Sequence, residues 1–434
     1  MISVTVLGQV ILSPFFVESV SSEAKAFLPR SELPYPIVST GQTECFDDDG
    51  QVIPPPKPGE PFYGQDAQIP QRKPAYHDNG DGTVTDLNTG LMWTRDPTPK
   101  RTYREAIADA RRCRIGGYND WRLPTVKEVY SLILFSGIEP KPQNQSPMGA
   151  RPFIDTKCFV FHYGQLEKGE RVIDAQFATA TLYTGQTLGG EPLMFGVNFA
   201  DGRIKAYPTE GKTFYVLYVR GNPNYGKNDF QDNGDGTITD RATGLMWMKY
   251  DSGHLKAGSC GDGRMTWREA LEWAANLTYA GYSDWRLPTA KELQSIVDYT
   301  RNPDSTNSPA IDPVFEVTEI VNERGEKDYP YYWTSTTHVG PSGGQNAVYL
   351  AFGRGLGWLF DPVTGQGVLV DIHGAGCQRS DPKKGDPRQF PFGRGPQGDV
   401  VRIFNFVRCV RNIKTDLGAK IGCSVVFPFL YGQW

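Results

Sequence analysis

The feature that most constrains this chain is that one set of motifs occurs twice, in the same order. Each copy begins with Asp-Asn-Gly-Asp-Gly-Thr, continues to Thr-Gly-Leu-Met-Trp, and later carries Asp-Trp-Arg-Leu-Pro-Thr followed by Lys-Glu. The matching segments are 78–86 with 232–240, 89–93 with 243–247, 102–106 with 266–270, and 117–125 with 281–289. Repetition over this length indicates a duplicated folding unit, so both copies are expected to adopt one fold.

The motif positions divide the 434 residues into two domains and their flanking segments. We place the first domain at 76–221 and the second at 228–413, with a short Pro/Gly/Asn linker between them. The flanking segments are a signal peptide at 1–26, a Pro/Gly-rich segment at 27–75 and a tail at 414–434. The tail ends in an apolar run, so we expect it to pack on the second domain.

Local signals in one copy predict a β-hairpin. Thr83–Asp86 alternates like a strand, a turn follows at Gly90, and Leu91–Trp93 forms the return strand. Farther along the second copy, short strands are predicted at Trp333–Thr337, Ala347–Phe352 and Val400–Arg411. The strand content of each copy therefore comes from a hairpin and from a strand-and-loop half.

Two helices are predicted between the hairpin and this second half. Thr102 and Glu105 form a capping box, and the helix that follows is expected to end at Gly116-Gly117. Thr125 and Glu128 form the same device directly after a proline, and both devices recur in the second copy. The predicted fold class is α+β, with two helices and small antiparallel sheets in each domain.

Charge and hydropathy exclude several classes of protein. The chain has 45 Lys and Arg against 49 Asp and Glu, a net charge of −4, which argues against a generally basic nucleic-acid binder. No internal run of about 18 apolar residues occurs, so no transmembrane helix is predicted. Residues 2–17 are mostly apolar and precede Ala24-Lys25-Ala26, the pattern of a signal-peptidase site. Export to the periplasm, cell surface or medium is expected, and a buried N-terminal strand is the alternative.

The seven cysteines contain no Cys-x-x-Cys pair, so a zinc ribbon or a redox dithiol is not indicated. Wide spacing in an exported chain fits isolated disulfides. We predict Cys113–Cys158 and Cys377–Cys409, because each pair lies within one repeat. Buried free thiols are the alternative.

The two Asp-Asn-Gly-Asp-Gly loops are candidate calcium sites, because they cluster the oxygen ligands that Ca²⁺ prefers. The candidate ligands are Asp78, Asn79, Asp81 and Asp86 in the first copy, and Asp232, Asn233, Asp235 and Asp240 in the second. The spacing does not fit an EF-hand, since His77 and Gln231 stand where its first ligand belongs. The alternative is a turn held by Asp and Asn side chains at the start of a hairpin.

One segment of the second copy is basic and rich in glycine. Gly353–Trp358 places an arginine and a tryptophan among glycines, and 377–411 holds eight cations against three anions. The candidate ligand-binding residues are Arg354, Trp358, Arg379, Lys383, Lys384, Arg388 and Arg394. Tryptophan faces stack on sugars and arginine binds sulfate or carboxylate, so a glycan or sulfated-polyanion site is indicated. A solvated loop is the alternative.

The ordered motifs, from Asp-Asn-Gly-Asp-Gly-Thr to the closing Val-Arg-Cys-Val-Arg at 407–411, resemble the C-terminal domain of the Legionella collagen-like adhesin. The resemblance covers both copies and implies a C-type-lectin-like fold with long loops. It also implies adhesin-like binding of sulfated glycosaminoglycans. The first copy departs from the pattern, with Phe177 for Trp333 and Tyr218 for Cys409, so the second copy is the better candidate for binding.

No catalytic constellation is present: the five histidines do not repeat, and Gly340–Gly344 fits Gly-x-Ser-x-Gly only inside a glycine-rich loop. We therefore expect an exported surface-binding protein that recognises a glycan, a sulfated polysaccharide or another surface protein. A structural component of a cell-surface assembly is one alternative. An enzyme of the formylglycine-generating type, using Cys377 and Cys409, is the other.

Overall fold

The structure is a computed structural model that describes residues 33–141, 146–185, 191–361 and 363–413. The predicted signal peptide at 1–26 and tail at 414–434 lie outside the described residues. No helix among the described residues is long and apolar enough to cross a membrane. The α-helices are α1 (Tyr103–Arg112), α2 (Val126–Ser131), α3 (Trp267–Asn276) and α4 (Ala290–Ser295).

The strands outnumber the helices and are short in the first half of the chain. Those before and within the first repeat are β1 (Cys45–Phe46), β2 (Val52–Ile53), β3 (Tyr76–Asp78), β4 (Thr83–Asp86), β5 (Leu91–Thr94), β6 (Arg101–Thr102), β7 (Gln176–Phe177), β8 (Leu182–Tyr183), β9 (Leu193–Asn198), β10 (Arg203–Pro208), β11 (Thr213–Phe214) and β12 (Val219–Gly221). Those of the second repeat are β13 (Phe230–Asp232), β14 (Thr237–Asp240), β15 (Leu245–Met248), β16 (Ile320–Val321), β17 (Lys327–Asp328), β18 (Tyr331–Gly340), β19 (Gly343–Ala351), β20 (Leu356–Phe360), β21 (Gly367–Asp371), β22 (Gln378–Pro382) and β23 (Val410–Asn412).

Each repeat contains the predicted hairpin within a four-stranded antiparallel sheet. The strand order is β3-β4-β5-β12 in the first repeat and β13-β14-β15-β23 in the second. Val84 pairs with Trp93, and Ile238 pairs with Trp247 at the equivalent position. All four side chains are fully buried, so the repeated tryptophan fills the core beneath its sheet.

The helix starts match the sequence expectation and one helix end does not. Capping boxes form at Thr102, Thr125, Thr266 and Thr289, where each threonine accepts from the amide of a glutamate three residues on. The predicted end of α1 at Gly116-Gly117 is wrong, because the chain turns extended at Cys113 (ψ 134°). Gly116 then takes a positive φ of 63° in a separate short turn.

The two repeats share one sheet. Its order is β18-β19-β22-β10-β9-β7, with β8 added beside β9. Three strands of the second repeat therefore meet three of the first, and the junction is the antiparallel pairing of Ile204 with Gln378. The equivalent strands follow in mirrored order on either side, so the repeats are related by a pseudo-two-fold axis, as in an isologous dimer.

The same relation places α2 against α4. Their apolar side chains join the largest hydrophobic cluster, which contains Val129, Ile133, Leu293 and Val297 and draws on both repeats. Because burial of apolar surface is the main stabilising contribution, this common core binds the halves into one body.

Residues 400–409 depart from the predicted strand at Val400–Arg411. Only Val410 and Arg411 of that stretch are in a strand, β23, and Ile403 has a positive φ of 58°. The preceding residues instead follow an irregular course that returns to β18, where the amide of Trp333 donates to the carbonyl of Phe406. The other two predicted strands lie within β18 and at β19, which ends one residue early at Ala351.

Candidate functional site

The second repeat carries a hairpin that the first repeat lacks. In the first repeat β9 reaches β10 through residues 199–202, whereas residues 352–377 separate β19 from β22 and include the hairpin β20–β21. Trp358 pairs with Leu369 in this hairpin. Glycine is required beside it, since a Cβ on Gly357 would lie 2.7 Å from the carbonyl oxygen of Gln397. The insertion therefore packs closely against the loop at 387–406.

A groove of about 640 Å³ lies between the hairpin and that loop, and we call it the second-repeat groove. Trp358 and Phe390 supply aromatic lining, and Tyr331 also borders the groove although it is almost fully buried. The Trp358 ring contacts the Phe392 ring edge to face at a centroid distance of 5.4 Å, and Phe392 is 56% exposed. A concave site with aromatic faces and a few polar groups is the usual form of a small-ligand site.

Each of the three arginines that line the groove has a carboxylate partner. Arg402 pairs with Glu323 (2.9 Å), and Arg264 and Arg388 pair with acidic residues two positions earlier in the chain. The Arg402 guanidinium also lies over the Tyr331 ring, 3.7 Å from its centroid. Burial raises the pKa of Glu323, but Arg402 outweighs this effect and holds that pKa below its ordinary value. The groove is thus charged but balanced.

The predicted basic patch is largely internal. Arg354 is 12% exposed in its side chain and pairs with Asp304 (2.6 Å), and Arg379 is buried against Asp399. The same carboxylate contacts His373 Nε2 at 2.7 Å. Burial lowers the pKa of His373 to about 4, so the imidazole is neutral at pH 7. Both arginines are therefore paired with carboxylates inside the fold.

The remaining predicted cations also have partners. Lys383 is fully buried, donates to the carbonyl of Asp47 and lies 3.9 Å from the centroid of the Trp267 ring. Arg394 donates to Asn346 and to a main-chain carbonyl. Lys384 is exposed and pairs with the acidic residues at 48 and 49. Of the seven predicted ligand-binding residues, only Trp358 and Arg388 line the groove, so the structure does not form the expected continuous cationic surface.

The Asp-Asn-Gly-Asp-Gly loops use their oxygens within the turn. Asp78 accepts from the amide of Gly80, and Asp81 accepts from both the amide and the hydroxyl of Thr83. Asn79 donates to Thr83 as well. Asp232, Asn233 and Asp235 repeat these bonds in the second copy. This is the geometry of the turn alternative.

The other two metal candidates lie away from the loop tips. Asp86 and Asp240 are buried at the far ends of β4 and β14 and accept from the amides of the turns that follow. Within the described ranges, no group of three or more His, Cys, Asp or Glu residues is placed to hold a metal ion.

The predicted disulfides do not form in the structure, where the six described cysteines are free thiols. Cys113 and Cys158 pack at different hydrophobic clusters, so the chain separates them between two cores. Cys377 and Cys409 are fully buried in one cluster, and burial raises the pKa of both thiols. The alternative of buried free thiols describes this second pair.

Two lysines that occupy the same position of the repeated motif lie at the junction of the repeats. Lys127 Nζ donates to the carbonyl of Ser295 at 2.7 Å, and Lys291 Nζ donates to the carbonyl of Ser131 at 2.7 Å. Each lysine therefore binds the last residue of the other repeat's helix. The signal for this role was present in the sequence, since both lysines occupy the same position in the repeated motif.

The comparisons with known proteins agree with this duplicated architecture. The Lcl C-terminal domain family matches the chain twice, at 82–220 and 236–359. No curated protein and no solved structure matches the chain. The two matched stretches cover more than half of the sequence and one falls in each repeat, so the chain belongs to the Lcl C-terminal domain family, with two tandem copies.

Proposed function

We propose that this protein is an adhesin-like, non-enzymatic binding protein that recognises a glycan through the second-repeat groove. The observation that carries the proposal is the hairpin insertion of the second repeat, which contributes Trp358 to a concave site that Phe390 also lines. The first repeat has only a four-residue turn at that point. The difference between the copies therefore coincides with the candidate binding site.

The chemistry of the groove favours neutral sugar units over a sulfated polymer. Aromatic faces stack on the C–H surfaces of sugars, and the half-buried Trp358 is available for this contact. Arg402 and Glu323 offer a donor and an acceptor side by side for sugar hydroxyl groups. A sulfated polyanion would have to compete with the carboxylates that already pair with the groove arginines.

Three further expectations belong to the same proposal. The protein would be exported and act at the cell surface, as its family resemblance and apolar N-terminal residues imply. Its repeats would be C-type-lectin-like, which the combination of two helices with antiparallel sheets in each repeat supports. Calcium would not be needed for glycan binding, because the candidate loops use their acidic oxygens in turns.

One observation favours the alternative of a protein-interaction module. The same hairpin exposes apolar side chains, with Phe360 48%, Val368 53% and Val363 91% exposed. Together with Phe392 they give an apolar rim beside the groove, and such rims mark protein interfaces as well as glycan sites. A surface protein of the same assembly would then be the partner.

A glycan array with and without Ca²⁺ tests the proposal. We expect binding to neutral or mixed glycans that is unchanged by Ca²⁺ and falls at least fivefold in Trp358→Ala, since stacking contributes about 1 kcal/mol. Trp273→Ala is the matched control, because Trp273 is a half-buried tryptophan of α3 outside the groove. Selective retention on heparin that Trp358→Ala leaves intact would contradict the assignment of the groove.

A further inference from the structure

The pseudo-two-fold relation gives the two repeats equivalent surfaces at the starts of α2 and α4. Each surface lies next to a junction lysine, Lys127 in the first repeat and Lys291 in the second. In the first repeat the amide of Val126 donates to the hydroxyl of Thr181, and in the second the amide of Ala290 donates to the hydroxyl of Thr336. The residue before each amide is the capping threonine, and the residue after it is the junction lysine. The two surfaces are therefore built from matching groups in matching contacts.

The surface of the second repeat is covered by residues 36–72, which precede the first repeat and are called the covering segment. Asp66 is buried there and accepts hydrogen bonds from Thr336 and from Thr40, the latter at 2.9 Å. Lys291 donates to the carbonyl of Ser39 at 3.1 Å. Gln71 donates to the hydroxyl of Thr289 at 3.3 Å. The covering segment thus supplies a carboxylate and main-chain carbonyls to this surface.

The covering segment also contacts the end of the first repeat's helix region. The amide of Phe135 donates to the carbonyl of Thr40 at 2.7 Å. Its counterpart on the other side of the pseudo-axis is Tyr299, which follows α4 as Phe135 follows α2. Among the hydrogen bonds of the described residues, the Tyr299 amide has no acceptor.

The residues that the structure describes leave the equivalent surface of the first repeat open. It forms a groove of about 510 Å³, here called the first-repeat groove, lined by Thr125, Lys127, Thr181 and Tyr299. Thr125 is exposed and Lys127 and Thr181 are half-buried, whereas Thr289, Lys291 and Thr336 are all buried. Asn228 replaces only the Ser39 contact, by accepting from Lys127 at 3.0 Å. Within the described chain, the Thr181 hydroxyl donates to no acceptor.

We propose that the first-repeat groove binds an extended peptide segment of a partner protein that carries an acidic side chain. The carboxylate accepts from the Thr181 hydroxyl, as Asp66 does from Thr336, and a main-chain carbonyl accepts from the Tyr299 amide, as Thr40 does from Phe135. Extended peptides gain affinity from main-chain hydrogen bonds and specificity from side-chain pockets. This site is distinct from the second-repeat groove and does not depend on the glycan proposal.

The protein's own covering segment provides the probe. A synthetic peptide of residues 36–72 should bind the intact chain in isothermal titration calorimetry with a stoichiometry of one. The covered second-repeat site should not take it up, since the attached segment is present at high effective concentration. Changing Asp66 to Ala in the peptide should weaken binding at least tenfold, because it removes a hydrogen bond to a charged acceptor.

Two variants of the protein locate the site. Thr181→Val removes the hydroxyl proton and should weaken binding at least fivefold. Lys227→Glu changes an exposed residue that lines the groove and leaves the core unchanged. It should also weaken binding of an acidic peptide, because it replaces an attractive charge with a repulsive one. Lys168→Glu is the matched control, since it makes the same charge change at an exposed position outside the groove. The proposal would be overturned if the peptide did not bind, or if it bound Lys227→Glu as tightly as Lys168→Glu.

Discussion

Asp66 connects the covering segment to the second repeat, and its removal should lower the free energy of unfolding. In Asp66→Ala the hydroxyl groups of Thr40 and Thr336 lose their common acceptor, in a place where water does not reach them. A buried donor left without an acceptor costs about 1–3 kcal/mol, so the two together should lower the free energy of unfolding by about 2–4 kcal/mol. Asp66→Asn keeps an acceptor oxygen and the volume, and should change the stability at pH 7 far less.

The stability of the unmodified protein should also depend on pH in a way that the stability of Asp66→Asn does not. Burial raises the pKa of Asp66 to about 6, although the bonds from Thr336 and Thr40 oppose this shift. The folded state therefore binds a proton between pH 6 and pH 4 that the unfolded state does not. Protonation of Asp66 therefore adds stability that is complete below pH 4 and is lost as the pH rises through 6, in addition to the contribution of the hydrogen bonds that the carboxylate accepts at pH 7. The shift of about two pKa units corresponds to about 3 kcal/mol.

Urea unfolding at pH 7.0 and pH 4.5 measures this effect. The stability of the unmodified protein relative to Asp66→Asn should increase by about 2 kcal/mol on acidification, because the asparagine does not titrate. Lys291 and Glu292 are common to both proteins, so their own titration largely cancels in the difference. A stability difference that stays constant across this range would show that the carboxylate is not buried as described.

Three other outcomes follow from the structure. Thermal unfolding followed by calorimetry should give one transition for both repeats, because they share a sheet and a core, and two separated transitions would contradict this. Glu292→Ala should lower the free energy of unfolding in urea by about 3–5 kcal/mol, because it leaves Arg286 without its carboxylate partner. Glu128→Ala should cost less because its arginine partner is 40% exposed, and equal losses would argue against that reasoning. Under native conditions a thiol reagent should modify the exposed Cys260 first and Cys377 and Cys409 only on unfolding, and a reductant should not change the melting temperature.

The elements that could be predicted are those with local signals. The hairpins depend on alternation and a glycine turn within about ten residues, and the helix starts depend on a threonine and a glutamate three residues apart. Both devices are complete within a short segment, so Thr83–Asp86 and the four capping boxes occur where the sequence places them. The end of α1 was harder to place, since Cys113 carries no local stop signal of its own.

The shared sheet and the burial of the basic segment could not be predicted in this way. The junction pairs Ile204 with Gln378, which are far apart in the sequence and lie in different repeats. The positive net charge of 377–411 includes Arg379, although this arginine is buried and pairs with Asp399. Net charge over a segment does not report which side chains are paired or which point inward. The second-repeat groove was indicated only by Trp358 and Arg388, because its other walls come from distant loops.

The pseudo-two-fold junction has a consequence for how such a molecule can specialise. A homodimer built on this interface would dissociate on dilution and would display two identical faces. Joining both halves in one polypeptide removes the dependence on concentration, because the linker keeps them together. It also lets each half change alone, so that the tryptophan-lined cleft belongs to one half and the threonine- and lysine-lined cleft lies where that half meets the other.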